Sequence, residues 1–187
     1  MAGRFGRISA MKRYALSLIL VAALLASALG AQAPAPAAAA APAACLPSGT
    51  LDELIKALDD AVSGAGDKDR TCLRDLLLPD ATLNPIAKKA DGSYAPHVLT
   101  VDGYIDAVKK RGSAVFYERQ VKVSSEVYGH IAHLWSTYEV RPTPDGKPQV
   151  RGINSIQAVN DGTRWKVFEI IWQAETPEEP VPAKYLP

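Results

Sequence analysis

The chain has 187 residues, with 21 Lys and Arg against 20 Asp and Glu and a formal charge of +1. Hydrophobic residues make up 48% and charged residues 22%, a globular composition that excludes a disordered or collagen-like chain. The length suits one domain, and the even charge balance provides no basic stripe, so nucleic-acid binding is not expected.

Residues 1–13 carry Arg4, Arg7, Lys12 and Arg13 and no acid, and an apolar run from Tyr14 to Leu29 follows. A basic start, an apolar stretch and then small residues read as a signal peptide over 1–30, with a cut near Gly30 and Ala26-Ser27-Ala28 as the alternative. Met11 is an alternative start. The apolar run has 16 residues, short of the ~20 a membrane span needs, so no stable membrane insertion is expected after cleavage. Removing 1–30 leaves 157 residues, 17 basic against 20 acidic, so the folded part is mildly acidic. Residues 31–46 open with Ala, Pro and a single Gln up to Ala44, where proline blocks a regular helix and nothing can build a core; they read as an exposed linker. The expected location is periplasmic or secreted. In such a compartment the two cysteines, Cys45 and Cys72, invite a disulfide, with two buried free thiols as the other reading. Neither has a metal-ligand neighbour, and no metal or cofactor is expected.

The domain proper is read as 47–187. Thr50-Leu51-Asp52-Glu53 is a capping box, and Leu51, Leu54, Ile55, Leu58 and Val62 recur at helical spacing, which predicts a helix over about 51–63. Asp67 is the expected cap of a second helix carrying Leu73, Leu76 and Leu77, ended by Pro79. Residues 81–99 read as an irregular hairpin around Asp91-Gly92. Thr100 caps a third helix with Val101, Tyr104, Ile105 and Val108 on one side, stopped by Gly112. From Val115 the period becomes two, giving four strands over about 115–127, 130–141, 149–160 and 163–174, joined by short links that make antiparallel neighbours. The Pro-rich tail after Glu175 is expected over the surface. Helices first and a meander second is an α+β pattern: three N-terminal helices packed in a strongly curved antiparallel sheet, cone-shaped with one open end.

At this point Phe116-Tyr117-Glu118-Arg119, Ala132 to Glu139, Arg151 to Gln157, Asp161 to Trp165 and the ending Pro182 to Pro187 together resemble the nuclear transport factor 2-like superfamily, also called SnoaL-like or cystatin-like cones, and within it uncharacterised bacterial members. The resemblance implies the cone fold and a homodimer through the outer sheet face. It does not choose among isomerases, dehydratases and non-catalytic modules, since fold is not function.

A register argument supplies candidate residues. Two-residue loops at Tyr128-Gly129 and Asp161-Gly162 set Arg119 opposite Tyr138 and Glu169 opposite Asn154, while Tyr138 opposite Gly152 and Ser136 opposite Asn154 join the hairpins. The apolar face then carries Tyr117 and five polar fixtures, Arg119, Ser136, Tyr138, Asn154 and Glu169, the composition of a pocket for a small apolar ligand with a polar group. Glu169 is the candidate base, or the two charges pair as a buried Arg119–Glu169 bridge. Three functions remain open: an exported small-molecule-binding domain, an isomerase- or dehydratase-like enzyme using a cavity carboxylate, and a non-catalytic dimerisation module. N-terminal sequencing of exported protein is expected to start near Ala31; recovery of intact Met1 or Met11 would count against the signal.

Overall fold

The computed structural model describes residues 44–187; the expected signal peptide and all but the end of the expected linker lie outside them. Helix α1 spans Leu51–Val62. The Thr50 hydroxyl accepts from the Glu53 N–H at 3.2 Å, and the Glu53 carboxylate accepts from the Thr50 N–H at 2.9 Å, so two otherwise orphaned donors are satisfied together. A two-residue strand, β1 (Gly64–Ala65), follows, then α2 (Thr71–Leu76). Helix α2 is shorter than expected and is not capped by Asp67: Asp69 takes the Thr71 N–H instead. Arg70 turns inward and donates to the carbonyls of Ala61, Ser63 and Ala65, closing the α1–β1 corner. Cys45 and Cys72 form a disulfide, Cα atoms 5.3 Å apart, which ties the start of the domain to α2.

Strand β2 (Leu77–Lys88) begins where α2 ends, folds back on β3 (Tyr94–Pro96), and also pairs with β4 (Leu99–Thr100). Helix α3 (Val101–Lys109) starts with the Thr100 hydroxyl accepting from the Gly103 N–H. The meander is β5 (Val115–Tyr128), β6 (Ile131–Arg141), β7 (Val150–Asn160) and β8 (Trp165–Ala174). The sheet order is β1-β5-β6-β7-β8-β2-β3, with β2 parallel to β8. That parallel strand extends the sheet beyond the four strands read from the sequence. Leu54, Leu58, Leu73, Leu76, Val101, Leu134, Ile156, Val167 and Leu83 fill the space between helices and sheet, and burial of such side chains contributes about 1.5–3 kcal/mol each.

The hairpin loops sit slightly later than expected, at Gly129–His130 and at 161–164, which shifts each ladder by two residues and leaves the facing side chains on their faces. Two bulges do more. Val121 is an extra residue between the Gln120↔Tyr138 and Lys122↔Thr137 pairs, and Phe168 is extra between Ala158↔Val167 and Gln157↔Glu169. Each inverts the strand beyond it. The β6–β7 register, Tyr138 opposite Gly152 and Ser136 opposite Asn154, is as expected.

The tail crosses the outer face of the sheet. The Thr137 hydroxyl donates to the Tyr185 carbonyl at 2.6 Å, Tyr185 packs on Trp135 with ring centres 5.9 Å apart, and Lys122 donates to the Leu186 carbonyl. On the same face Glu139 is buried between Arg141 and Arg151, at 2.6 and 3.0 Å. On the inner face Tyr138 lies directly against Gly152. A Cβ there would collide with the Gln173 carbonyl and stand 2.6 Å from the Tyr138 hydroxyl. Gly152→Ala is therefore expected to cost roughly 1–3 kcal/mol by overpacking, read as a lowered urea midpoint with an unchanged slope.

Candidate functional site

The concave side of the sheet, closed by the helices, encloses a cavity of about 380 Å³. Its apolar wall includes Phe116, Leu83, Val140, Val150, Ile170 and Trp172, and its polar groups are Glu118, Asn154, Tyr104, Tyr138 and Arg111. Trp172 meets Tyr104 edge-on at 6.0 Å, joining β8 to α3. The Arg111 guanidinium lies 4.5 Å from the Phe116 ring centre, a cation–π contact.

Of the residues singled out in the sequence, the structure brings Ser136, Tyr138 and Asn154 together on this face. It places Tyr117, Arg119 and Glu169 elsewhere. The bulge at Val121 turns Arg119 outward, opposite Glu139, and Tyr117 outward, opposite Arg141. The bulge at Phe168 turns Glu169 to the outer face, where its carboxylate accepts from the Asn84 amide at 3.0 Å and lies 3.5 Å from the Thr82 hydroxyl. No Arg119–Glu169 bridge forms among the described residues; the carboxylate in the cone is Glu118, with Gln120 beside it.

Glu118 is half-buried and held in a chain of polar contacts. Its carboxylate accepts from the Gln120 amide at 3.0 Å and from the Asn154 amide at 3.5 Å. Asn154 also donates to the Gln120 side-chain oxygen, Oε1, at 3.2 Å, and the fully buried Ser136 hydroxyl donates to that same oxygen. The backbone of this segment is fixed from α1: the Glu118 N–H donates to the Ser63 hydroxyl at 2.9 Å, and the Gln120 N–H to the Asp59 carboxylate at 3.1 Å. Burial pushes the Glu118 carboxyl up to about 7, and the negative charge of Asp59 adds to this, against the hydrogen bonds from Asn154 and Gln120 and the charge of Arg111. Asp59 is itself pushed up to about 6, again chiefly by burial. The Tyr138 phenol is raised by burial and by Glu118, and the Tyr104 phenol is pushed up to about 12 by burial and Glu118. Both phenols therefore stay protonated and able to donate.

Glu118 also borders a second cavity of about 380 Å³ on the α1 side, with Lys56, Asp59, Lys68 and Arg119. A third, of about 360 Å³, runs between the tail and the outer face, and its walls carry Trp135, Ile153, Pro180 and Val181. Neither gathers unpaired donors and an apolar wall around one carboxylate as the cone does. Among the described residues no group of three or more His, Cys, Asp or Glu is placed to hold a metal ion.

The raised Glu118 pKa has a consequence for stability. Between its ordinary value of 4.5 and about 7, the folded protein keeps a proton that the unfolded chain has released, so stability falls as the pH rises through that window. The expected fall is roughly 2 kcal/mol, allowing for residual solvent screening. Glu118→Gln should remove this decline and leave the variant more stable than wild type at pH 8, with only the earlier decline from Asp59 remaining. Urea unfolding across pH 4–8 reads the difference, and an unaltered profile would mean that Glu118 ionises freely in the fold.

No protein-family model matches the chain, and no curated protein matches it in sequence. Solved structures do match in fold. A protein of unknown function from Mycobacterium tuberculosis aligns at 13% identity with a TM-score of 0.53, over 71% of this chain and 75% of that one. A protein of unknown function with a cystatin-like fold from Nostoc punctiforme aligns at 11% identity with a TM-score of 0.52, over 71% of this chain and 92% of that one. A nuclear transport factor 2-like protein of unknown function from Shewanella baltica aligns at 15% identity with a TM-score of 0.48, over 67% of this chain and 91% of that one. The three helices, the curved sheet and the alignments to the Mycobacterium tuberculosis and Nostoc punctiforme proteins agree: the chain has a cystatin-like fold.

Proposed function

We propose that the cone binds a small, largely apolar molecule carrying a carbonyl or similar acceptor, and that Glu118 exchanges a proton with it. The observation that carries this reading is one carboxylate, desolvated and titrating near neutrality, sharing an apolar cavity with two protonated phenols. A base works best when its pKa lies near the working pH. Glu118 takes a proton from the carbon beside the carbonyl, and a phenol of Tyr138 or Tyr104 donates to the oxygen as it gains negative charge. Return of the proton to a different carbon completes an isomerisation with no net change in composition. Arg111, at the cavity wall, suits a ligand with an acidic edge. A second reading, binding without chemistry, is favoured by the hydrogen bonds from Gln120 and Asn154, which already occupy one oxygen of Glu118.

We also infer that the domain works outside the cytoplasm. The basic, apolar and small-residue order of positions 1–30 supports export, and an oxidised cysteine pair suits that compartment.

The test is exchange of carbon-bound hydrogen in D2O, followed by NMR, with cyclic ketones sized to the cavity. Wild type is expected to bind them and to label the carbon beside the carbonyl. Glu118→Gln should keep binding and lose labelling by about 100-fold or more, while Glu169→Gln should label as wild type does. Binding with no labelling in wild type leaves the domain a binder without chemistry. Failure of any such ketone to bind removes the proposal.

A further inference from the structure

The edge of the sheet beyond the cone is open. Strand β5 pairs along its length with β6, but on its other side β1 reaches only Val115 and Phe116. The next two inward positions, Glu118 and Gln120, give their N–H groups to Ser63, just past the end of α1, and to Asp59 of α1. From Val121 to Tyr128, no strand among the described residues pairs with this edge. The two-residue loop Gly129–His130 makes Tyr128↔Ile131 a hydrogen-bonded pair. Alternation then turns the N–H and C=O groups of Lys122, Ser124 and Glu126 toward β6, and those of Val123, Ser125 and Val127 outward. The edge is exposed and partly apolar: Val123 is 40%, Val127 54% and Tyr128 84% exposed.

The order of residues along this edge names its occupant. A two-fold axis through Ser124 sets Lys122 opposite Glu126 of a second copy, and Glu126 opposite Lys122, so the single pair is made twice. The same register sets Val121 opposite Val127 and Val123 opposite Ser125, which brings the outward-facing backbone groups into hydrogen-bonded positions. Lys122 and Glu126 lie on the same side of the sheet, opposite Thr137 and His133, where cross-strand pairs of opposite charge attract. A slip of two residues in either direction sets a charge against Ser124 and loses both pairs. A lone edge lysine usually blunts strand pairing; here its symmetry mate is an acid. The outer face, by contrast, is already crossed by the tail.

We propose that two copies of this chain dimerise through β5, antiparallel and edge to edge, continuing the sheet from one domain into the other. Sedimentation velocity of the purified, oxidised chain tests it. Wild type is expected to be a dimer. Lys122→Glu and Glu126→Lys should each raise the dissociation constant by roughly tenfold or more, because each turns two attractions into repulsions. The double reversal Lys122→Glu with Glu126→Lys should restore the dimer. All of these positions are exposed, and circular dichroism is to check that each variant is folded. A monomeric wild type, a dimer indifferent to the single reversals, or a dimer broken by Phe168→Glu on the outer face would each overturn the proposal.

Discussion

One extra residue in β5 and one in β8 decide what the cone contains. With Val121 and Phe168 squeezed out of the ladder, Glu118 and Gln120 point inward on one strand, and Ile170 and Trp172 on another. Without either bulge the same strands would put Arg119 and Glu169 inside. The interior would then hold a buried ion pair whose desolvation cost competes with its attraction. With the bulges it holds one acid, neutral amides and phenols, with the Arg111 guanidinium on its wall. The bulges also increase strand twist where the sheet curls over the helices, so curvature and cavity chemistry have a common origin.

The acid is tolerable because its surroundings are ordered before any ligand arrives. Ser136, Gln120 and Asn154 pass hydrogen bonds along one line to Glu118, while α1 fixes the backbone of the same segment through Ser63 and Asp59. A buried polar network of this kind rigidifies a core only when its members are satisfied. Burial, and then the nearby charge of Asp59, oppose ionisation, which keeps Glu118 itself neutral over more of the pH range than an isolated surface glutamate would be.

Much of this fold is legible in the residues. Thr50 and Glu53 announce α1, Thr100 announces α3, and the change of period at Val115 announces the meander. The inner-face positions of Tyr138, Ser136 and Asn154 are legible because β6 and β7 run without a bulge, so alternation holds between them. Alternation alone points Arg119 and Glu169 inward, because it carries no signal for one inserted residue. In β8 a trace exists: Ile170, Ile171 and Trp172 are apolar in succession, so either parity gives an apolar inner side. In β5 there is no such trace, and strict alternation would turn Glu118 outward. Strand β2 escaped for another reason. Pro79, Asp80, Asn84 and Pro85 break any period, and its partner β8 is parallel and distant in the chain, so no turn links the two.

The tail acts on the sheet as a tendon. It leaves β8, passes β6 at Thr137 and ends at β5 with Lys122 on the Leu186 carbonyl, so a single segment crosses the meander on its outer side. Because the tail lies on the convex side, tighter curling of the sheet would lengthen that path and pull on both anchors. The tail thus opposes further curling from the side facing away from the cavity, and a change at Tyr185 or Leu186 would act on the curvature of the sheet without touching the cavity wall.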